Sequence, residues 1–248
     1  MPGGVTPLDA RVPLKKGAHG GNLVSPVIDR WATFDCYGTL IDWRSGIEAE
    51  FERLFGPEPA PHLLDHYLEI EVDVQRGAYR LYGEVLGLTL ERLVREEELA
   101  LPEGEEPALA RALPDWSPFP ETREALGAAR ERGWKLAVLS NSDRDLIAAS
   151  IERIGVDFDH VVVAEDVRSY KPAHAHWERF FADTGAEREH HAHVAASLYH
   201  DIAPARELGL RSVWINRLGE EPNPPPDREL HDLSPLADAL DELAAASS

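Results

Sequence analysis

The stretch FDCYGTLIDW, residues 34–43, ends a short apolar run, WATF, with an acid. An ionised carboxylate at the end of a buried strand loses hydration unless positive charge or hydrogen-bond donors meet it. Asp35 is therefore either a cap for the following loop or a group held there for chemistry on a small molecule. Ligands of α/β sheets bind at the carboxyl ends of strands. Gly38 and Thr39 mark a tight loop behind it. Three further runs end in comparable groups: Ser140 and Asn141 close KLAVLS, Lys171 lies in RSYKPAHAHW, and Ser197 to Asp201 follow HVAAS in ASLYHD. Each is ordinary loop chemistry alone, but together, each at a strand end, they point to one site. A lysine facing a carboxylate keeps it ionised, although Lys171 alone also reads as a loop lysine. Asp201 also reads as a cap for the helix IAPARELG. Cys36 should point to the face opposite Asp35. His190, His191 and His193 read as a solvated turn before a strand, and His200 as a residue bordering the site or an exposed histidine.

The elements that must position these groups alternate. Runs at 31–34, 135–140, 160–165 and 211–216, with a weaker one at 193–197, have the β-branched or apolar character of buried parallel strands. Helical patterns such as PETREALGAARERG, DRDLIAASIERIG and HAHWERFFADTG separate them. That alternation predicts an α/β fold, a doubly wound, mostly parallel, Rossmann-like sheet. Residues 44–115 contain no convincing strand and several amphipathic helical stretches, too long for a structureless connection. They predict an inserted helical cap domain, with residues 26–43 and 116–248 forming the core domain. PNPPPD, 222–227, reads as an extended connector to a last helix.

Composition limits the partners. A net charge of −20 over 248 residues disfavours nucleic acid and anionic membranes. No apolar run approaches membrane-spanning length. Residues 1–25 lack the apolar stretch of a secretory signal and read as a flexible tail. The single Cys36 excludes an intramolecular disulfide, which fits a cytoplasmic location. A small anionic substrate remains allowed where the site supplies local positive charge, and a homodimer is left open.

With DCYGTL, VLSNS, YKP, SLYHD and the closing VWINR in hand, the chain resembles the haloacid dehalogenase superfamily, and within it the L-2-haloacid dehalogenase branch, over residues 28–220. The resemblance implies that Asp35 is the nucleophile, with Lys171, Asp201, Thr39 and Ser140 in the catalytic set. It places Tyr37, Asn141, Trp177, Ser197 and His200 against substrate. Thr39, Ser140 and Asn141, with loop N–H groups, would hold the substrate carboxylate. Phosphatases of the superfamily carry a second acid where this chain has Tyr37, and a metal-binding acid where it has Ser197. Both are poor ligands for Mg²⁺, so the expectation is no metal and no cofactor. The branch's halide-gripping cap Arg should fall near Leu68 and Glu69, where none stands, and Arg76 and Arg80 are expected in solvent. The branch's Ser and Asn in the fourth motif appear as Ala196 and Leu198. The alternatives are a metal-dependent phosphatase and a non-catalytic binding module on the same scaffold.

Overall fold

Residues 29–246 are described by a computed structural model; the expected N-terminal tail lies outside them. Six strands, β1 (Arg30–Phe34), β2 (Trp134–Ser140), β3 (His160–Val163), β4 (His191–Ala195), β5 (Arg211–Ile215) and β6 (Arg228–Leu230), form one sheet in the order β3-β2-β1-β4-β5-β6. All neighbouring pairs are parallel. After β1 the chain builds toward one edge and after β3 toward the other, so β1 and β4 flank the crevice where such sheets bind ligands.

Side-chain alternation sorts the two central strands. Ala32 and Phe34 face the larger core, which also holds Leu136, Val138, Val194 and much of the helical insertion. Trp31 faces the second core, under Trp177 and Phe180. Thr33 and Asp35 share the parity of Trp31. In register with Trp31 and Thr33 stand His191 and His193, both fully buried. His191 and His193 are thus not part of a solvated turn, although His190 does lie in the short turn before β4: β4 begins two residues earlier than the apolar pattern shows, and its first residues are polar because both histidines hydrogen-bond Thr33 of β1.

β6 went unread as a strand because REL has no apolar pattern. It forms where Asn216 N donates to the Leu230 carbonyl (2.7 Å) and Asp227 accepts from Ser212 N (2.8 Å).

Between β1 and β2 lie α1 (Trp43–Phe55), α2 (Ala60–Gln75), α3 (Tyr82–Glu96) and α4 (Ala108–Ala112). Asp42 caps α1 by accepting from Ser45 N (3.2 Å). α2 buries Leu63, Leu64, Tyr67 and Ile70, and α3 buries Val85, Leu86, Leu90 and Leu93, at the three-to-four spacing of one helical face. A turn at 76–81 separates them. No side chain of the segment caps α3. Asp143, at the start of α6 (Arg144–Ile154), accepts instead from Tyr82 N (2.7 Å) and Gly83 N (2.8 Å). The remaining helices are α5 (Thr122–Glu131), α7 (Ala164–Val167), α8 (Ala175–Thr184), α9 (Ala203–Glu207) and α10 (Leu236–Ala245). A π turn at Leu198–Ile202 leads into α9. No helix among the described residues is long and apolar enough to cross a membrane.

Candidate active site

The loops after β1, β2, β4 and β5 and the first three helices enclose a cavity of about 540 Å³. At its floor Lys171 Nζ donates to Asp35 Oδ1 (2.9 Å), Asp201 Oδ1 (2.6 Å) and the Leu139 carbonyl (2.8 Å). All three donors of the ammonium are used, and the residue is buried. Thr39 Oγ1 donates to Asp35 Oδ2 (2.9 Å) and accepts from Ala196 N (2.9 Å). Asp35 is therefore fixed through both oxygens yet keeps 8% exposure, and it lines the cavity.

Burial pushes the Asp35 carboxyl upward, the Lys171 ammonium opposes that, and the nearby Asp201 charge adds to it. Burial also works against ionised Asp201, but Lys171 and the His193 hydrogen bond outweigh it and hold Asp201 below the usual carboxylate range. For Lys171 burial favours the neutral amine; the two carboxylates prevail and raise its pKa. One cation thus sits between two acids whose pKa values are pushed apart, Asp35 upward and Asp201 downward.

Behind this triad runs a second row of hydrogen bonds. His193 Nε2 lies 2.9 Å from Asp201 Oδ1, His193 Nδ1 2.8 Å from Thr33 Oγ1, and Thr33 Oγ1 2.8 Å from His191 Nε2. Asp201 is committed to Lys171 and His193 and does not cap α9. The sequence reading missed His193 as a partner; the signal was its even spacing from Ala195, which places both on one strand face.

Other expected residues divide by position. Ser140, Asn141, Tyr37, Ser197 and His200 line the cavity. Ser140 Oγ is buried with no protein partner among the described residues, leaving it available to a ligand. Asn141 is largely occupied: Oδ1 accepts from Lys171 N (2.6 Å) and Nδ2 donates to the Lys171 carbonyl (3.1 Å), clamping the backbone that carries the lysine. Ser197 Oγ accepts from His200 N (3.0 Å) and lies 3.2 Å from His200 Nδ1. Burial lowers the His200 pKa and keeps the ring neutral. Tyr37 hydrogen-bonds Ser150 Oγ (3.0 Å) and stacks on Tyr82 at 6.2 Å.

Two expectations need correction. Trp177 is fully buried in the core beneath the sheet, edge-on to His193 at 5.1 Å, and takes no part in the cavity wall. Its helix, α8, turns that face toward the sheet, so it supports the histidine row rather than substrate. Thr39 likewise has no exposed surface and holds Asp35, not a ligand carboxylate.

The helical wall also differs from expectation. Leu68 packs into the core and Glu69 is exposed. α2 instead presents Glu71 and Gln75, four residues apart on one face, and α3 presents Tyr82. Arg76 and Arg80 are exposed and lie outside this wall. The cations not foreseen are Arg44, at the start of α1, and Arg217, just beyond β5. Arg217 donates to the Thr39 carbonyl (3.0 Å), pairs with Glu121 (2.8 Å) and lies over the Phe119 ring. It stands at a strand end, the criterion that found Asp35; Glu71 follows only once the docked face of α2 is known.

The sequence pattern of the haloacid dehalogenase-like hydrolases matches residues 30–209. Haloacetate dehalogenase H-2 of Moraxella sp. (strain B) is 30% identical over 220 residues, 86% of this chain and 96% of that protein. The (S)-2-haloacid dehalogenase of Pseudomonas sp. (strain YL) is 29% identical over 231 residues, covering 85% and 94% of the two chains. The crystal structure of the L-2-haloacid dehalogenase RSc1362 superposes with a TM-score of 0.79 at 27% identity, over 86% of this chain and 99% of that one.

Proposed function

The chain belongs to the haloacid dehalogenase-like hydrolases, and from that premise we propose that it hydrolyses the carbon–halogen bond of short 2-haloalkanoic acids, releasing halide and a 2-hydroxy acid. The observation that carries this reading is Lys171 held between Asp35 and Asp201, with Asp35 the more exposed of the two acids at the cavity floor, 8% against 1%. An ionised carboxylate locked through both oxygens is an oriented nucleophile.

In this mechanism Asp35 attacks the halogen-bearing carbon from behind. Its oxygen bonds to that carbon as the halide leaves with the bonding pair, inverting the centre and forming an aspartyl ester. Ser140 Oγ and loop N–H groups hold the substrate carboxylate. Water then attacks the ester carbonyl as neutral His200 takes its proton; the bond between that carbonyl and the substrate oxygen breaks, the proton passes to the leaving alkoxide, and the 2-hydroxy acid departs with the Asp35 carboxylate restored. Lys171 and Asn141 act on position, keeping the Asp35 carbonyl fixed while charge develops on it. Residues 44–115 act as the cap that closes the cavity, and the substrate is the small anion that the local cations Lys171, Arg44 and Arg217 tolerate in an acidic molecule.

The donor set does not suit Mg²⁺. Among the described residues no three acids, histidines or cysteines gather as ligands, and an ammonium already takes one oxygen of each acid. The phosphatase reading is tested beside the main one. Free halide is measured with chloro-, bromo- and fluoroacetate and both 2-chloropropionate enantiomers, and phosphate with a generic phosphoester and Mg²⁺. Halide release that withstands EDTA is expected. Phosphate release that EDTA abolishes, with no halide from any haloacid, would overturn the assignment.

A further inference from the structure

The cap wall of the cavity contains an acid where a halide would ordinarily meet a cation. Glu71 lines the cavity from α2, and Tyr82 Oη donates to its Oε1 (3.0 Å). No Arg, Lys or His lies within ion-pair distance of it among the described residues. Tyr82 in turn stacks on Tyr37, two residues from Asp35, so the acid is held by a rigid aromatic pair reaching from the nucleophile loop. An ionised Glu71 would repel both an incoming carboxylate and a departing halide, whereas a neutral carboxyl has one acceptor oxygen for Tyr82 and one O–H to give.

We propose that Glu71 is the specificity-determining residue of the leaving-group pocket, donating a hydrogen bond from its protonated carboxyl to the halide as the carbon–halogen bond breaks. This rests on the dehalogenase reading. The halide departs as an anion with the bonding pair; the proton stays on Glu71, because hydrogen halides are stronger acids than a carboxylic acid. The substrate class that gains most is the one whose leaving group accepts hydrogen bonds most strongly, so the pocket favours fluoride and chloride over bromide relative to a cation-lined one.

Burial supports the protonated form, raising Glu71 to about 7 against the opposing hydrogen bonds of Tyr82 and Gln75. The groups facing it are Tyr67 and Gln75 on α2, Tyr82 on α3 and, at longer range, Tyr170. Around the cavity stand Asp42, Arg44 and Glu48 beside α1, Arg217 and Glu220 beyond β5, and Asp35, Lys171, His200 and Asp201 at the floor. Arg44 and Arg217 are paired with Asp65 and Glu121 rather than with Glu71.

The test is the pH profile of kcat/KM for chloroacetate and fluoroacetate in the parent and in Glu71→Gln and Glu71→Ala. In the parent, kcat/KM is expected to fall tenfold per pH unit above about 7, where Glu71 ionises. Glu71→Gln, which stays neutral and keeps a donor, should lose that fall. Glu71→Ala should also lose it, and should lower kcat more for fluoride than for chloride. A fall that survives in both variants overturns the proposal.

A second measurement needs no variant and no turnover: calorimetry of chloride and propionate binding to the parent at pH 8 in buffers of different ionisation enthalpy. Uptake of a proton with the anion is expected, and its absence overturns the proposal even if the variants do not fold. If parent and variants release no halide, the dehalogenase reading fails; halide release with no proton uptake and an unchanged profile sinks the role of Glu71 alone.

Discussion

In an Asp35→Asn variant the nucleophile loses its charge and almost none of its shape, so halide release should vanish while the circular dichroism spectrum stays native; activity within a few-fold of the parent, on the order of 1 kcal/mol in barrier, would remove Asp35 from the chemistry. A single turnover in water labelled with heavy oxygen, with enzyme in excess, should leave the product unlabelled and mark the peptide containing FDCYGTL. Label in the first product would mean direct attack by water. His200→Asn should let the first step proceed and slow the second, accumulating an adduct on that same peptide visible by mass spectrometry. Asp201 carries a stability prediction with a definite sign. Its folded pKa is lowered from the ordinary 3.8, so the stability from its ionised form is present above that value and lost as pH falls through the lower folded one. Asp201→Asn should therefore cost about 3–5 kcal/mol at neutral pH, as breaking a buried pair does, with the gap from the parent narrowing in acid unfolding below about pH 4. Asp35, Lys171 and Asp201 were legible in the sequence because each lies in the segment that follows a core strand. Glu71 and His193 were not: the first needs the docking of α2, the second the true start of β4.

At the scale of elements, one contact that ties the helical segment to the rest of the chain is Asp143, at the start of α6, which accepts from two N–H groups in the first turn of α3. Asp143→Ala removes the acceptor of two N–H groups, and a loss of about 1–2 kcal/mol is expected, the size of a lost helix cap. Because α3 carries Tyr82, KM for a haloacid should rise more than kcat falls; an unchanged KM would show that the cap wall does not depend on this tie. α8 makes the opposite prediction. Trp177→Ala should destabilise by about 3–5 kcal/mol as a large core truncation, and KM, measured where the variant is folded, should stay close to the parent's. The strands were readable because parallel strands buried on both faces are runs of Val, Leu and Ala. β6 was not, since a short polar edge strand owes its pairing to Asn216 and Asp227 rather than to its own pattern. The start of α3 was not legible for a similar reason, as the side chain that caps it lies sixty-one positions away from Tyr82.

For the whole molecule, a charge of −20 sets the terms on which an anion arrives. Long-range repulsion is screened over about 8 Å at physiological ionic strength, so kcat/KM for a haloacid should rise, roughly severalfold, between low and physiological salt. A fall with added salt would mean that local cations such as Arg44 and Arg217 steer the substrate more strongly than the surface repels it. The row of hydrogen bonds behind the floor belongs to this scale too, since it joins the two central strands. Asp201 can only accept, so His193 carries its proton on Nε2, and Thr33 spends its one proton on Nδ1 of that ring. The same hydroxyl then accepts from Nε2 of His191, whose Nδ1 is left with no partner among the described residues. Both imidazoles are thereby locked in one tautomer, and their N–H protons can meet solvent only when β1 and β4 part. Those two protons should be among the slowest in the molecule to exchange, at a rate that follows unfolding of the entire sheet rather than opening of the cavity above it.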